Sequence, residues 1–205
     1  MGNRGYYGVN GIECPLTYNL PKDASPPVLF LHGYNFTGES WKETGVLGVL
    51  EDRGIGYAAP DMPYGRRTGC TKKTRSLPLN LKAVDEVVSL LGGSPPILVG
   101  ASLGGRIALY YAAGHAVRGL LLASPAVRED EEIWGLMKRL KVPALILRGF
   151  RDFIPLGIHE RLSLKLGARL VVYEGAGHAL YRDKPGQFIK DLLDFYELVE
   201  STRPS

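Results

Sequence analysis

The chain is poor in cysteine and in long hydrophobic runs, and each shortage excludes a class of protein. Its 205 residues include two cysteines, Cys14 and Cys70, and no CxxC pair or His/Cys cluster. A disulfide-rich scaffold and a zinc site are therefore not expected, and we expect both thiols to be free in a reducing cytoplasm. No apolar run approaches the roughly 18 residues that a membrane span needs. The first fifteen residues also lack the apolar core of a signal peptide, so a cytoplasmic protein without membrane association is predicted.

Charge is neither abundant nor concentrated, which disfavours a nucleic-acid-binding protein. The formal net charge is +4, and both signs are spread along the chain, whereas nucleic-acid recognition needs a basic surface and a recognition motif. One loop, residues 62–76, has five basic residues and no acidic one. It is interpreted either as a solvated segment or as a rim that attracts anionic substrates. Its basic residues are Arg66, Arg67, Lys72, Lys73 and Arg75.

Short apolar segments alternate with helix-like segments along the chain. Those that read as buried strands include "VLFLHG" (28–33), "PILVG" (96–100) and "PALILRG" (143–149). Residues 79–91 and 187–199 place apolar side chains at helical spacing. Such alternation is typical of a mostly parallel sheet that is covered by helices on both faces.

The first 20 residues have a different pattern. They are rich in tyrosine and are interrupted by "NG" at 10–11, which predicts an antiparallel hairpin at the edge of the sheet. The sequence has no repeat, no low-complexity segment and no linker. We therefore predict an α/β protein, with residues 1–205 forming a single domain.

Ser102 lies in the pattern G-x-S-x-G, where a predicted strand runs into a predicted helix. Gly100 and Gly104 leave room for a sharp turn that would lift the serine hydroxyl off the end of the strand. The N-terminus of the following helix favours negative charge. This context predicts that Ser102 is a nucleophile, although the five-residue pattern alone would not.

A serine hydroxyl needs a base to take its proton, and the chain has four histidines. His178 is predicted to be the base, because it lies in a glycine-flanked loop that follows the last predicted strand. His115 and His159 lie in predicted helices or at their ends, where solvated or helix-capping roles are expected. His32 is expected to support the loop that follows the first buried strand.

The base in turn needs an acid that fixes its tautomer. Asp152 follows the penultimate predicted strand and precedes His178 by 26 residues. The order Ser, Asp, His is the one that this architecture uses. Asp61 is a competitor that we expect to bind backbone in its proline-flanked turn. The remaining competitors form an acidic cluster that is expected to open a helix: Asp130, Glu131 and Glu132.

The reaction also needs donors for a developing oxyanion and a surface for the substrate. One donor is predicted to be the backbone N–H of Leu103, and the other the N–H of Tyr34 in "LHGYNFTG". Three aromatic residues are predicted to contact the substrate: Phe36, Phe153 and Trp134.

Five motifs in order resemble those of the α/β-hydrolase fold superfamily over nearly the whole chain. They are "FLHGYNFTG", "APDMPYGRR", "LVGASLGG", "LILRGFRD" and "YEGAGHALYRDKP". The compact outline and the segment from "VPALILRG" to "LLDFY" resemble the small lidless proteins of subgroup 14. The resemblance implies a serine hydrolase without a cofactor. Its triad would be Ser102, Asp152 and His178, and its oxyanion hole Tyr34 and Leu103.

The segment between two of the predicted strands is shorter than in larger relatives, which disfavours a protein with a lid domain. Only 18 residues, 125–142, separate two predicted strands where lipases and epoxide hydrolases insert a lid. A single helix containing Trp134 fits there. Epoxide hydrolases and dehalogenases are also disfavoured, because they have Asp at the nucleophile position and this chain has Ser.

The favoured function is a carboxylesterase that acts on small acyl esters through an acyl-enzyme. Transfer of the acyl group to a thiol or amine, or deacylation by the same triad, is an alternative. A non-catalytic interaction protein on a hydrolase scaffold is another. We expect a small-molecule acyl substrate and neither a nucleic-acid nor a membrane partner.

Overall fold

The computed structural model describes residues 2–21, 26–129, 132–137 and 140–202. Its strands form one eight-stranded sheet in the order β1-β2-β4-β3-β5-β6-β7-β8. The strands are β1 (Asn3–Val9), β2 (Ile12–Asn19), β3 (Val28–Leu31), β4 (Tyr57–Pro60), β5 (Ile97–Ala101), β6 (Gly119–Ala123), β7 (Ala144–Gly149) and β8 (Arg169–Tyr173). The helices are α1 (Glu39–Glu43), α2 (Val46–Asp52), α3 (Leu77–Leu90), α4 (Leu103–Ala112), α5 (Ile133–Leu136), α6 (Leu156–Leu166), α7 (Leu180–Asp183) and α8 (Pro185–Ser201).

Two antiparallel strands form the edge of an otherwise parallel sheet. β1 and β2 are joined by Asn10 and Gly11, which have φ angles of 46° and 73°, as a tight hairpin turn requires. β2 pairs antiparallel with β4, and the remaining neighbours pair parallel. The predicted hairpin and the predicted fold class are confirmed. A single domain over 1–205 stays a prediction, which this one continuous sheet supports.

The central strands are buried on both faces, which explains their unbroken apolar sequences. In β3, Leu29 and Leu31 point into one hydrophobic cluster, and Val28 and Phe30 point into the other. The first cluster includes buried residues of α3, α4 and α6. The second includes residues of α1, α2, α7 and α8. The sheet therefore holds the ends of its strands rigidly between two helical layers.

Two further segments complete the helical layers. After β3 the chain forms two short helices, α1 and α2, which are separated at Gly45, whose φ is 82°. Between β6 and β7 the described residues contain one four-residue helix, α5, which includes Trp134. Residues 130–131, which include two members of the acidic cluster, lie outside the described residues. Within the described ranges, no helix is long and apolar enough to cross a membrane.

The prediction of free thiols is wrong, because Cys14 and Cys70 form a disulfide. Cys14 lies on β2, and Cys70 lies in the loop that follows β4. That loop runs along β2, since the N–H of Thr71 donates to the carbonyl of Glu13 at 2.8 Å. Disulfides persist mainly in oxidising compartments and in intracellular proteins of hyperthermophiles. A cytoplasmic location stays a prediction, and free thiols no longer support it.

Replacing both cysteines should destabilise the fold. The disulfide links residues 56 positions apart, and its loss should lower the free energy of unfolding by about 2–4 kcal/mol. We therefore expect Cys14→Ser/Cys70→Ser to melt roughly 5–15 °C below the oxidised parent, measured by calorimetry. The reduced parent should melt close to the double variant. Equal melting temperatures for the double variant and the oxidised parent would show that the link contributes nothing.

Candidate active site

The structure brings the predicted nucleophile, base and acid into one hydrogen-bonded line. The Nε2 atom of His178 lies 2.8 Å from the Oγ atom of Ser102. The Nδ1 atom of the same ring lies 2.8 Å from the Oδ1 atom of Asp152. A neutral imidazole that donates from Nδ1 to the carboxylate can accept the serine proton at Nε2. These three residues come from three separate loops at the carboxyl ends of β5, β7 and β8.

Ser102 occupies a strained backbone conformation directly between β5 and α4. Its φ is 51° and its ψ is −115°, and a non-glycine residue adopts such a positive φ only where the surrounding structure enforces it. Its N–H donates to the carbonyl of Ala123 on the neighbouring β6 at 2.9 Å. Its own carbonyl accepts from the N–H of Ala126 at 3.0 Å. The turn is therefore fixed from both sides.

Two glycines allow the turn to be this tight. A Cβ atom at Gly100 would lie 2.6 Å from the Cα atom of Gly105, and one at Gly104 would overlap the carbonyl oxygen of Leu31. Any side chain at either position would push α4 away from the sheet. The G-x-S-x-G pattern thus has a packing reason in this chain, as its strand–turn–helix context predicts.

The surroundings of Asp152, the predicted acid, hold it in the ionised form. Its side chain is fully buried, and burial by itself would raise its pKa. Hydrogen bonds from His178 and from the N–H of Ile154, with the nearby Ser124 hydroxyl, outweigh burial and lower the pKa of Asp152 below its ordinary value. The carboxylate therefore stays charged at neutral pH and can orient the His178 ring.

Two supporting residues near the acid were not found by sequence reasoning. Arg148, at the end of β7, donates to the carbonyls of Asp152 and Ile154 at 3.3 and 3.0 Å, which fixes the loop of the acid. Its sequence signal was a charged residue inside the apolar run "ALILRG". Ser124 follows β6, is fully buried and has a φ of 47°. No short pattern in the sequence identifies its role.

The competing acids lie elsewhere or outside the described residues. The Oδ1 and Oδ2 atoms of Asp61 accept from the N–H groups of Gly38 and Gly69 at 2.8 and 2.7 Å, which confirms the expected backbone role. Glu132 directly precedes α5, whereas Asp130 and Glu131 are not described. Among the described carboxylates, Asp152 is the one in contact with His178.

His32 supports the loop that follows β3. Its Nδ1–H donates to the carbonyl of Gly33 at 2.8 Å, and its Nε2 accepts from the N–H of Met62 at 2.9 Å. Both bonds require the neutral ring, and burial lowers the pKa of His32 below its ordinary value, which favours that form. The expected supporting role fits this geometry.

Of the other two histidines, His115 lies in the kind of environment that we expected, and His159 does not. His115 is partly exposed and lies 3.4 Å from a carboxylate oxygen of Asp85. His159 is fully buried on the inner face of α6, where its Nε2 lies 3.3 Å from the carbonyl oxygen of Pro125. The expectation of a solvated or capping His159 is therefore wrong. The helical pattern did not reveal that this ring faces the loop after β6.

The two predicted oxyanion donors lie beside Ser102. Leu103 opens α4 directly after Ser102. A Cβ atom at Gly33 would lie 3.5 Å from the Cβ atom of Ser102, so the loop before Tyr34 is adjacent to the nucleophile. Within the described part of the chain, the N–H groups of Tyr34 and Leu103 make no hydrogen bond. Both groups are therefore available to a substrate oxygen.

A cavity of about 230 Å³ opens over Ser102, and two of the three predicted substrate-contacting aromatics line it. Phe36 and Phe153 are in its wall together with Ser102 and His178. The Phe153 ring is 77% exposed and lies 4.2 Å from the His178 ring, between centroids.

Trp134 is absent from the residues described in that wall. Its Nε1–H donates to the carbonyl of Arg128 at 2.7 Å, and its ring stacks under the Arg161 guanidinium at 4.3 Å. These contacts keep Trp134 in the core beneath α5, so the structure does not bring it to the cavity.

Comparisons with known proteins agree with this architecture. The sequence pattern described as "Alpha/beta hydrolase family" matches residues 28–161. A human relative called "Putative protein-lysine deacylase ABHD14B" is 31% identical over 177 residues, which cover 83% of this chain and 82% of the relative. "Protein ABHD14A" of Danio rerio is 28% identical over 181 residues, covering 84% of this chain and 65% of the relative.

Solved structures share the fold at low sequence identity. A "predicted CIB-like hydrolase" from Thermoplasma acidophilum superposes with a TM-score of 0.86 at 23% identity, covering 96% of this chain and 98% of that one. An esterase from Exiguobacterium antarcticum gives a TM-score of 0.80 at 18% identity, covering 96% of this chain and 100% of that one. At these identities the likeness shows the fold alone.

Removing the charge of the acid should disable the nucleophile without unfolding the protein. In Asp152→Asn the side chain no longer orients the His178 ring, so Ser102 should react with a serine-directed phosphonate about 10³–10⁴ times more slowly. Arg148 holds this loop through backbone carbonyls, so we expect the melting temperature of the variant to stay close to that of the parent. A loss of reactivity smaller than tenfold would remove Asp152 from the triad.

Proposed function

We propose, from the premise that this chain belongs to the alpha/beta hydrolase family, that it is a serine carboxylesterase acting on small acyl esters. The observation that carries the proposal is the hydrogen-bonded line from Ser102 through His178 to Asp152. The strained Ser102 turn and the two available N–H groups support the same chemistry.

Acylation would begin with attack by the Ser102 Oγ atom on the ester carbonyl carbon. His178 would take the serine proton at Nε2 while Asp152 stabilises the resulting imidazolium. The carbonyl oxygen would become negatively charged and accept hydrogen bonds from the N–H groups of Leu103 and Tyr34. Collapse of the tetrahedral intermediate would break the bond to the alcohol, which would leave with the proton from His178.

Deacylation would repeat these steps with water as the nucleophile. His178 would take a proton from water, and the hydroxide equivalent would attack the acyl carbon of the acyl-enzyme. The same two N–H groups would hold the second oxyanion. Collapse would release a carboxylic acid and return the proton to Ser102. Ser102, His178 and the two N–H groups would supply the nucleophile, the base and the oxyanion donors, so the proposed reaction needs no cofactor.

The size of the cavity supports small acyl groups. It holds about 230 Å³, and one short helix, α5, is described between β6 and β7. A long acyl chain gains about 0.8 kcal/mol per methylene only while apolar wall remains to cover it. Phe36 and Phe153 are the apolar walls nearest to the nucleophile. They would therefore limit the useful chain length.

A second candidate is removal of an acyl group from an amine, or its transfer to another acceptor. The human relative, which is called "Putative protein-lysine deacylase ABHD14B", favours this candidate. The triad, the oxyanion donors and the acyl-enzyme would be the same, and the leaving group would be an amine. A non-catalytic interaction protein is disfavoured, because such a protein has no need for a strained serine in contact with a histidine.

Loss of the Ser102 hydroxyl should abolish turnover. In Ser102→Ala no acyl-enzyme can form, so hydrolysis of acetyl and butyryl esters should fall by at least 10³-fold and phosphonate labelling should disappear. The measurement is the kcat/KM for each ester, together with the intact mass after labelling.

A matched control is Ser89→Ala, since Ser89 is an exposed serine on α3. This variant should keep both turnover and labelling. If Ser102→Ala hydrolyses the esters as fast as Ser89→Ala, the proposed nucleophile is wrong. A parent enzyme that is labelled but cleaves only acyl-lysine amides would favour the second candidate.

A further inference from the structure

A second cavity, of about 330 Å³, borders the same two proposed oxyanion residues, Tyr34 and Leu103. Two arginines, Arg75 and Arg106, line it, and none of the described lining residues is acidic. The first cavity borders Tyr34 as well. Because Tyr34 borders both cavities, a short acyl chain that begins in the first cavity would place a terminal charged group beside Tyr34, at the edge of the second.

Arg75 is fixed against Tyr34 although its loop lies at the surface. Its Nη2 donates to the Tyr34 hydroxyl at 2.7 Å. Its guanidinium also lies over the Tyr34 ring, 5.0 Å from the centroid. Arg75 is thus held against Tyr34, one of the two proposed oxyanion residues.

The backbone on both sides of Arg75 is held by a buried amide. The Nδ2 atom of Asn80 donates to the carbonyls of Thr74 and Ser76 at 3.0 and 2.8 Å, and its Oδ1 accepts from the N–H of Tyr64 at 3.1 Å. Asn80 is itself 1% exposed. This anchor also fixes Ser76, the residue that directly precedes α3. Here the anchor lowers the entropy cost of binding by ordering Arg75 beforehand.

Arg106 reaches the cavity from the first turn of α4. Its N–H donates to the carbonyl of Ser102 at 3.1 Å, so it lies one turn after the nucleophile. Its guanidinium lies over the Tyr110 ring, 5.9 Å from the centroid, and its side chain is among those that line the cavity. The two guanidinium groups thus come to one cavity from different elements.

We propose that this cavity is an anion-binding subsite for the acyl part of the substrate, with a carboxylate as the simplest occupant. Guanidinium groups bind carboxylates through paired, charge-assisted hydrogen bonds. The leaving group must lie near His178, which protonates it, and His178 is not among the residues described around this cavity. The charge is therefore assigned to the acyl chain, as in a half-ester of a dicarboxylic acid.

This inference rests on the proposed hydrolase function, and a matched pair of esters tests it. The pair is an aryl glutarate half-ester and the corresponding glutaramate ester, in which a neutral carboxamide replaces the carboxylate. The parent should prefer the charged ester by about tenfold in kcat/KM, as a charge-assisted hydrogen bond provides. The preference should weaken as ionic strength rises.

Arginine variants locate the preference. Arg75→Gln and Arg106→Gln should each reduce the ratio of charged to neutral kcat/KM severalfold. The control Arg67→Gln should keep it, because Arg67 is exposed in the same loop and is not among the cavity residues. An unchanged ratio in both cavity variants would overturn the subsite. A preference that instead follows a carboxylate on the aryl leaving group would overturn its assignment to the acyl part.

A binding measurement separates failure of the subsite from failure of the proposed function. Glutarate should bind the Ser102→Ala protein in calorimetry, and more weakly after a further Arg75→Gln or Arg106→Gln change. Arginine-dependent binding without any ester turnover would keep the subsite and refute the esterase. Turnover of the neutral ester by Ser102 without a charge preference and without glutarate binding would keep the esterase and refute the subsite.

Discussion

The close approach of α4 to the carboxyl ends of β3 and β5 is the constraint on which the site depends. No Cβ atom fits at Gly104, because the Leu31 carbonyl oxygen occupies that space. With the helix pressed against the strands, the residue between β5 and α4 must turn within one position. Ser102 therefore adopts a positive φ, which lifts its hydroxyl toward His178 and leaves the N–H of Leu103 available.

The loop of Asp152 is held by a second set of contacts, farther along the same carboxyl edge of the sheet. Arg148 gathers the loop of Asp152 through backbone carbonyls, so the position of the carboxylate does not depend on its bond to His178 alone. Burial alone would raise the pKa of Asp152, and the hydrogen bonds to it reverse that effect. The loop therefore supplies both the position and the charge that the histidine requires.

The features predicted correctly from the sequence are those with short-range patterns. The hairpin at Asn10–Gly11, the strand–turn–helix around Ser102 and the backbone role of Asp61 each follow from neighbouring residues. Their physical causes, a left-handed turn, a packing glycine and a proline-flanked bend, act over a few positions.

The features that the sequence did not reveal depend on distant parts of the chain. The partner of Cys14 lies 56 residues away, in a loop whose path along β2 is set by the sheet. His159 and Trp134 lie on helices whose rotation relative to the sheet decides which side chains are buried. Only Arg148 left a local signal, a charge within an apolar strand.

In the proposed mechanism, the turn at Ser102 and the N–H groups of Leu103 and Tyr34 together hold a tetrahedral oxyanion. The most direct measurement is a crystal structure of the Ser102 phosphonate adduct, whose tetrahedral phosphorus imitates that intermediate. We predict phosphorus bonded to the Ser102 Oγ atom, with one phosphonyl oxygen about 2.7–3.1 Å from the N–H nitrogens of both Leu103 and Tyr34. A phosphonyl oxygen that points away from these two groups, or phosphorus attached to another residue, would contradict the account.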